Sequence, residues 1–462
     1  MRQLRLACLA ALASWSLAGC GAGAGTPGVV TGVVSDAEGS SVAGARVRIG
    51  SVSTTSLSNG TFRLTGIGAG IQRVHADIEI RGRDWSGETL VDVVGREHNR
   101  SVNVVVSETS VQGIITGVVR DERDRPLEGA KVFVGGPWGS TLAITDRSGA
   151  YEARRIPAGF RYTVTCSVPG FLNQTHSDVL VTTGLVTYVS FTLRPTTSQG
   201  AMPGPDNLSA QAWTLAASVS RAADGRTRGV YDWLRRQHRL RKGLPDGPVA
   251  RSIERLNLGR ATPAGSVVEI DLFWTYASYD DLFGYVIRRG MSAGALADTA
   301  LLRDPLARVF FDVDAALTPD RIYYYTVHRV DTVDFPARGS VGLASDTVSA
   351  QPLQPIVAES PGQGASVSVD PLLVWSTVQG AAYYQIYVWD RFPDLQSETD
   401  PDGAVPIWGY GDAGSLVAAP TTERRYAGPA LAAGRTYYWL VVASDAGGDN
   451  LSASQIARFT AR

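Results

Sequence analysis

One serine lies in a sequence pattern that is associated with covalent catalysis. Gly290-Met291-Ser292-Ala293-Gly294 matches G-x-S-x-G, which exposes a nucleophilic serine when it forms a sharp turn between a strand and a helix. Here the pattern follows Arg288-Arg289, at the end of a segment predicted to be a strand of a β-sandwich. We therefore expect Ser292 to lie in a turn of small residues, and an envelope hydrolase that uses Ser292 is the weaker alternative among the functional hypotheses.

The side chains that bind metals are too far apart in the sequence to form a site at short spacing. No histidine belongs to an H-E-x-x-H motif or to a histidine–cysteine pair at the spacing of a zinc site. The histidines are His75, His98, His176, His238 and His328. The acidic residues from Asp390 to Asp402 could offer oxygen ligands to calcium, but they lack the D-x-D-x-D-G order of a compact loop. The sequence predicts no metal site, no cofactor and no catalytic residue.

Two aromatic loops could bind a ligand. Trp138 lies in Gly-Gly-Pro-Trp-Gly, and Trp408 and Tyr410 lie in Trp-Gly-Tyr-Gly. The neighbouring residues are too small to bury these rings, and exposed rings can stack on sugars or on a protein partner. Each ring could instead fold back over the edge of its domain. Carbohydrate binding through Trp138, Trp408 and Tyr410 is therefore the first alternative hypothesis.

A basic segment at about 218–260 carries a strong local charge. It contains eleven basic and four acidic residues, a local charge of +7, whereas the whole chain has a formal net charge of −1. Val230, Trp233 and Leu234 fall on one face of a short predicted helix. Either the basic face contacts phosphates of lipid head groups or of glycolipid, or the segment is a surface insertion whose tryptophan packs onto a sandwich. The first interpretation assigns the anionic-surface contact to Arg235, Arg236, Arg239 and Arg241.

The N-terminus resembles that of a bacterial lipoprotein. Arg2 and Arg5 precede an apolar run, Leu6–Leu17, that is too short to span a bilayer and has the form of a secretory signal. The run ends in Leu17-Ala18-Gly19-Cys20, which resembles a lipobox and implies that the signal is removed and that Cys20 receives lipid. Two or three acyl chains hold a protein at a membrane almost permanently, because each buried methylene contributes about 0.8 kcal/mol.

The residues after Cys20 bear on the compartment. In lipoproteins an aspartate after the lipidated cysteine usually implies retention at the inner membrane, so the resemblance, with Gly21 at this position, favours the outer membrane or the cell surface. Residues 20–28 are small and form a predicted flexible tether, and no later stretch reaches 18 consecutive apolar residues. With Cys8 removed and Cys20 lipidated, Cys166 has no intrachain disulfide partner, and we expect it to be a buried, inert thiol.

Composition and internal repeats place the chain among multi-domain β proteins. Its 462 residues exceed one domain, and 44% apolar and 19% charged residues argue against disorder, collagen and a coiled coil. Thr31-Gly32-Val33-Val34 recurs 85 residues later as Thr116-Gly117-Val118-Val119, and Asn59-Gly60-Thr61-Phe62 recurs 89 residues later as Ser148-Gly149-Ala150-Tyr151. The change of offset predicts a four-residue insertion near 135–139. A repeat of this length suits two tandem sandwich domains.

The repeated pattern resembles the carboxypeptidase regulatory-like family, whose members fold as transthyretin-like, seven-stranded sandwiches. The second copy fits the pattern along its whole length. The first copy departs from it, because it lacks the proline before Val42 and has Ser56 and Leu57 in place of Thr145 and Asp146. The resemblance implies accessory modules that carry no catalytic residues of their own.

From residue 208 onward, the spacing of tryptophan and tyrosine resembles that of fibronectin type III domains. Trp274 and Trp375 end predicted strands, and Tyr323 and Tyr437 are 114 residues apart, as are the leucines six residues before them. In such domains the tryptophan fills the space between the sheets, and the tyrosine packs inward while its hydroxyl bonds a nearby backbone group. We therefore expect these four rings to be core residues.

Together these features predict an all-β protein of four tandem β-sandwich domains, two transthyretin/carboxypeptidase regulatory-like and two fibronectin type III-like, with a short helical insertion in the third. The predicted divisions are a lipoprotein signal peptide at 1–19, the tether at 20–28, sandwiches at 29–108 and 111–194, a linker at 195–207, and sandwiches at 208–352 and 355–462. The leading functional hypothesis is a non-enzymatic cell-envelope lipoprotein, held at the membrane by its lipid anchor, that acts as a surface scaffold or binding protein in adhesion or envelope assembly. Its expected partners are polysaccharide or envelope proteins, and no nucleic acid is expected.

Overall fold

The structure is a computed structural model that describes most of the chain. The described residues are 27–37, 39–93, 100–136, 140–196, 202–216, 225–244, 253–255, 266–275, 282–314, 316–331, 341–393 and 405–462. They form β-strands, an α-helix, α1 (Gly225–Lys242), and a short 3₁₀ turn at Thr109–Val111. The predicted all-β architecture of β-sandwiches with a helical insertion is confirmed. The predicted signal peptide and Cys20 lie outside the described residues.

The first domain contains a seven-stranded sheet. Its strands are β1 (Gly28–Asp36), β2 (Arg46–Ile49), β3 (Val52–Thr55), β4 (Thr61–Ile67), β5 (Gly70–Ile80), β6 (Arg83–Val93) and β7 (Arg100–Glu108). The strand order is β3-β2-β5-β6-β7-β1-β4. Alternate residues of β1 and β4, including Val30, Phe62 and Leu64, point into one apolar core, as the period of two requires.

The second domain repeats this topology with the sheet divided in two. Its strands are β8 (Gln112–Asp121), β9 (Lys131–Gly135), β10 (Ser140–Ile144), β11 (Ala150–Pro157), β12 (Arg161–Ser167), β13 (Gln174–Leu180), β14 (Val186–Tyr188) and β15 (Phe191–Leu193). One sheet has the order β10-β9-β12-β13, and the other has the order β11-β8-β14, with β15 also paired to β8. In the first domain, pairing of Trp85 with Glu108 and of Ser86 with Ser107 joins β6 to β7, and so links the two halves into one sheet.

Two details of the repeat follow from the backbone geometry. The predicted insertion lies in the β9–β10 hairpin, because Ile49 pairs with Val52 in the first domain whereas Gly135 pairs with Ser140 in the second. The repeated Gly32 and Gly117 allow the neighbouring parallel strand to approach, since a Cβ at Gly117 would lie 1.8 Å from the carbonyl oxygen of Val189. A side chain at either glycine would therefore force the sheet apart.

The third and fourth domains share a sheet. The third contains β16 (Asp206–Ala216), β17 (Ile253–Arg255), β18 (Ser266–Thr275), β19 (Gly284–Gly290), β20 (Ala297–Leu302), β21 (Val309–Asp312), β22 (Tyr323–Val330), β23 (Val341–Ala344) and β24 (Val348–Ala350). The fourth contains β25 (Ala358–Ser360), β26 (Ala365–Val367), β27 (Leu372–Trp375), β28 (Tyr383–Trp389), β29 (Leu416–Ala418), β30 (Glu423–Arg425), β31 (Thr436–Ser444), β32 (Asn450–Ala453) and β33 (Ala457–Ala461). The shared sheet has the order β21-β18-β16-β32-β31-β28-β29, with β33 on β31 and β26 on β33. Each domain closes its core with a smaller sheet, β17-β20-β19-β22-β23 with β24 on β22 in the third and β25-β27-β30 in the fourth.

The predicted core rings are confirmed. Trp274 and Tyr323 lie in the core of the third domain, and Trp375 and Tyr437 lie in that of the fourth. The backbone N–H of Thr318 donates to the hydroxyl of Tyr323 at 3.0 Å, and the N–H of Ala432 donates to that of Tyr437 at 2.8 Å. Both tyrosines therefore fasten the loop that precedes their strand.

Candidate functional site at the domain joints

The first joint links the first two domains through polar contacts around β6. Arg155 donates to Ser86 Oγ at 2.6 Å and lies 3.4 Å from the carboxylate of Glu88. The N–H of Leu142 donates to Thr89 Oγ1 at 3.2 Å. Ser86, Thr89 and Leu142 are buried, whereas the Arg155 side chain is 38% exposed. The bond between Leu142 and Thr89 is therefore shielded from water, and together these polar contacts join the two domains.

The second joint is apolar and links the second domain to the third. Phe133 and Leu142, on the outer face of the β9–β10 hairpin, pack against Phe283, Val286, Leu301 and Val330 of the third domain. The Phe133 and Phe283 rings meet edge to face with centroids 5.8 Å apart, and the Arg303 guanidinium lies 4.5 Å from the Phe133 ring centroid. Full burial of one such ring contributes about 1.5–3 kcal/mol, so this cluster is a stable contact between the domains.

The third joint is the parallel pairing of β16 with β32. Ala212 to Leu215 pair with Asn450 to Ala453, and Thr214 Oγ1 donates to the carbonyl of Leu353 at 2.6 Å. Because backbone hydrogen bonds cross from one domain to the other, the domains cannot separate without breaking the sheet.

Helix α1 lies over this joint and binds both domains. Its residues Val230, Tyr231 and Leu234 form one apolar cluster with β16 and with strands of the fourth domain. The other members of that cluster are Trp213, Leu215, Tyr387, Trp389, Leu440, Val442, Leu451 and Ala453. The hydroxyl of Tyr231 donates to the Ser454 carbonyl at 2.7 Å. Near the C-terminus of the helix, His238 Nε2 lies 2.8 Å from the Gly448 carbonyl.

Three of the four arginines predicted to contact an anionic surface bind the protein itself, and for the buried Arg235 this corrects the prediction. The Arg235 side chain is 8% exposed, and its Nη2 lies 2.7 Å from Glu269 Oε2. Arg239 lies over the rings of Phe273 and Phe311, at 5.9 and 5.8 Å from the centroids. The guanidinium of Arg241 lies 3.6 Å from the centroid of Tyr410. Arg236 is exposed. The insertion therefore packs onto the sandwich, as the alternative interpretation held.

Of the two interpretations of the Trp408 loop, the structure agrees with the one in which the ring folds back onto its own domain, so Trp408 is not available as the ligand-binding ring of the carbohydrate hypothesis. Trp408 is fully buried, its indole N–H donates to the Ala413 carbonyl at 3.2 Å, and its ring meets Tyr426 edge to face at 5.1 Å. Its small neighbours do not cover it, but residues distant in sequence do. Tyr410 is 60% exposed, with Arg241 over one face of its ring. Trp138 lies outside the described residues.

Ser292 does not lie in a nucleophile elbow. It is exposed in the turn between β19 and β20, where its carbonyl accepts from the N–H of Ala295 at 3.1 Å. A strand follows the turn, whereas the catalytic motif requires a helix.

Cys166 is a free thiol buried in the core of the second domain, and burial raises its pKa above the ordinary value, which makes the thiol inert.

Metal-ligating side chains do not converge within the described residues, where no group of three or more His, Cys, Asp or Glu is placed to hold an ion. Four acidic residues of the run between Asp390 and Asp402 lie outside this part of the chain. Over the same described residues, no helix has both the length and the apolar character needed to cross a membrane.

Sequence reasoning missed the residues that fasten the third joint. Tyr231, His238 and Lys242 lie on α1, and each contacts the fourth domain, Lys242 through a 2.8 Å ion pair with Asp449. The apolar face of the helix gave a signal that it packs onto a sheet. Nothing local indicated that the covered sheet belongs to two domains.

Comparisons with known proteins give matches to structures and to one family. No curated protein sequence matches the chain. Among similar solved structures, the FN1–FN3 domains of chicken CNTN1 are 13% identical, with a TM-score of 0.27 over 85% of this chain and 98% of that one. The shaft pilin SpaA from Lactobacillus rhamnosus GG is 13% identical, with a TM-score of 0.17 over 38% of this chain and 100% of that one. The minor pilin GBS52 of Streptococcus agalactiae is 10% identical, with a TM-score of 0.17 over 38% of this chain and 99% of that one. Residues 114–194, which span nearly all of the second domain, match the carboxypeptidase regulatory-like domain family.

Proposed function

We propose that this protein is a non-enzymatic, surface-anchored scaffold that acts as one rigid arm. The observation that carries the proposal is that each domain is fastened to the next: by polar bonds at the first joint, an apolar cluster at the second, and a shared sheet under α1 at the third. A chain of independent domains would move at its linkers. A fastened chain instead holds its far end at a set distance and direction from its attachment point.

The insertion in the third domain supports a role in rigidity. Its helix α1 packs on the fourth domain, and its strand β17 pairs with β20 and lies beside β7 of the first domain. One insertion thus contacts domains on both sides of the third. Contacts on both sides of the third domain restrict bending between the domains.

A distance measurement tests rigidity directly. Spin labels or dyes on the first and fourth domains of the full chain should give one narrow distance distribution. Phe133→Asp places a charge in the second joint and should broaden it, whereas Tyr188→Asp, at a position 79% exposed, should leave it unchanged. A broad distribution in the unaltered protein would refute the rigid arm.

The proposed attachment is a lipid on Cys20, at the outer membrane or the cell surface, with polysaccharide or envelope proteins as partners. Metabolic labelling with a fatty acid should tag the unaltered protein and fail with Cys20→Ser. Protease treatment of whole cells should then cleave the fourth domain if the arm projects outward. Equal labelling of the unaltered protein and Cys20→Ser would overturn the proposed lipid anchor but not the proposed rigid arm.

Carbohydrate binding is a second candidate, and the exposed Tyr410 ring supports it. Arg241 covers one face of this ring, and the other could stack on a sugar. Pull-downs with cell-wall and exopolysaccharide fractions should recover the protein, and Tyr410→Ala should abolish recovery. Recovery that is the same for both proteins would remove Tyr410 from the candidates.

A further inference from the structure

The interface between α1 and the shared sheet contains a buried carboxylate. Asp271 of β18 is fully buried, and in the described structure neither of its carboxylate oxygens has a hydrogen-bond partner. Gln211 of β16 lies opposite Asp271 in the sheet and is also fully buried. In the described structure, neither atom of its side-chain amide has a hydrogen-bond partner. Buried polar atoms are almost always hydrogen-bonded. An ionised carboxylate in this position would therefore be strongly destabilising.

The charges around Asp271 do not neutralise an ionised form. Among the described residues, the charged groups that act on it are Arg235, Arg239 and Asp232 from α1 and Glu269 from its own strand. Arg235 is already bound to Glu269, at 2.7 Å, and lies 3.8 Å from Asp232. Arg239 lies over two aromatic rings. With Asp271 ionised, three carboxylates would face two guanidiniums, whereas with Asp271 protonated the numbers are equal.

The direction of the pKa shift agrees with this count. Burial, opposed by Arg235 and assisted by Glu269, raises the pKa of Asp271 from 3.8 to about 7. The carboxyl is therefore protonated in mildly acidic conditions while α1 covers it. If α1 lifts, water reaches the group and its pKa returns toward the ordinary value.

We propose that Asp271 is a buried proton-binding site that controls whether α1 stays closed over the sheet shared by the third and fourth domains. With the proton bound, the closed helix covers a neutral carboxyl. When the proton is lost, the closed state holds an unpaired negative charge, and the equilibrium between the closed and the lifted helix shifts toward the lifted state. Because α1 also holds the fourth domain through Tyr231 and Lys242, its release loosens the third joint. This regulation goes beyond the rigid arm and does not depend on the lipid anchor.

Hydrogen exchange of α1 in the full-length protein tests the proposal. Protection of peptides from Gly225–Lys242 is compared at about pH 5.5 and about pH 8, after correction for the pH dependence of chemical exchange. For a group whose pKa falls from about 7 to about 4 on opening, the closing equilibrium weakens roughly 30-fold between these conditions. Asp271→Asn keeps the shape of the side chain without a titrating proton, so the loss of α1 protection at the higher pH should disappear.

A matched control separates Asp271 from the histidine on the same helix. His238 faces Gly448, Lys242, Arg241 and Asp449, and burial lowers its pKa. His238→Gln should retain the full pH response if Asp271 is responsible. Equal protection of the unaltered protein at both pH values overturns the proposal, as does a loss of protection at the higher pH that survives Asp271→Asn or disappears in His238→Gln.

A second measurement on the unaltered protein covers the case in which Asp271→Asn fails to fold. Infrared difference spectra should show the carbonyl stretch of a protonated carboxylic acid that persists to near pH 7, well above the ordinary range of aspartate. Absence of such a band at about pH 6 overturns the proposal, because an acid that is already ionised there cannot control closure near neutrality.

Discussion

Substitution of two neighbouring aromatic residues separates a structural ring from a surface ring. Trp408→Ala removes a fully buried indole, its bond to Ala413 and its edge-to-face contact with Tyr426. Large-to-small changes of this kind cost about 3–5 kcal/mol. Tyr410→Ala removes a 60% exposed ring whose partner is Arg241, and an exposed cation–π contact contributes about 0.5–1 kcal/mol.

Urea denaturation of the full chain, followed by a probe in the fourth domain, measures the difference. With a slope of about 2 kcal/mol/M, Trp408→Ala should lower the midpoint by roughly 2 M, and Tyr410→Ala by less than about 0.5 M. The slope itself should stay the same, since the exposed area on unfolding barely changes. A loss below about 1 kcal/mol for Trp408→Ala would show that the indole is not a core residue. A loss for Tyr410→Ala that exceeds the loss for Trp408→Ala would show that Tyr410 is not a surface ring.

Three further predictions concern the buried polar groups. Tyr231→Phe should lower the free energy of unfolding by about 1–2 kcal/mol, because it leaves the Ser454 carbonyl without its donor; chemical denaturation measures this loss, and an unchanged value would contradict the bond. Asp271→Asn should stabilise the protein increasingly as pH rises, by about 1.4 kcal/mol per unit between about 4 and 7, because the raised pKa of Asp271 makes the folded state bind a proton that the unfolded chain has lost. Urea unfolding at several pH values checks this, and a constant difference between the two proteins would count against it. Cys166 should react with maleimide only after denaturation, since its thiol is buried and its pKa is raised; rapid labelling of the native protein would show the opposite.

The fold was more predictable than the site because its signals are local. Trp274 and Tyr437 could be identified as core residues since strand alternation and the spacing to the preceding loop are properties of a short segment. Trp408 could not, because its burial depends on Tyr426 and other residues brought close only by folding. Asp271 alternates with inward-facing residues and so has the pattern of an exposed position, yet α1 covers it. Helix α1 belongs to an insertion, and no short sequence pattern indicates which part of the protein the helix packs against.

The pairing of β16 with β32 has a consequence for how the chain is made. Ala212 meets Asn450 in the sheet, so the ribosome must add more than half of the chain between the synthesis of the two strands. Until then, β16 has a free edge that can pair with the wrong strand. Contacts of such long sequence separation form slowly. We expect the third domain to mature only after the fourth, so a factor that shields the free edge of β16 until then would favour correct folding.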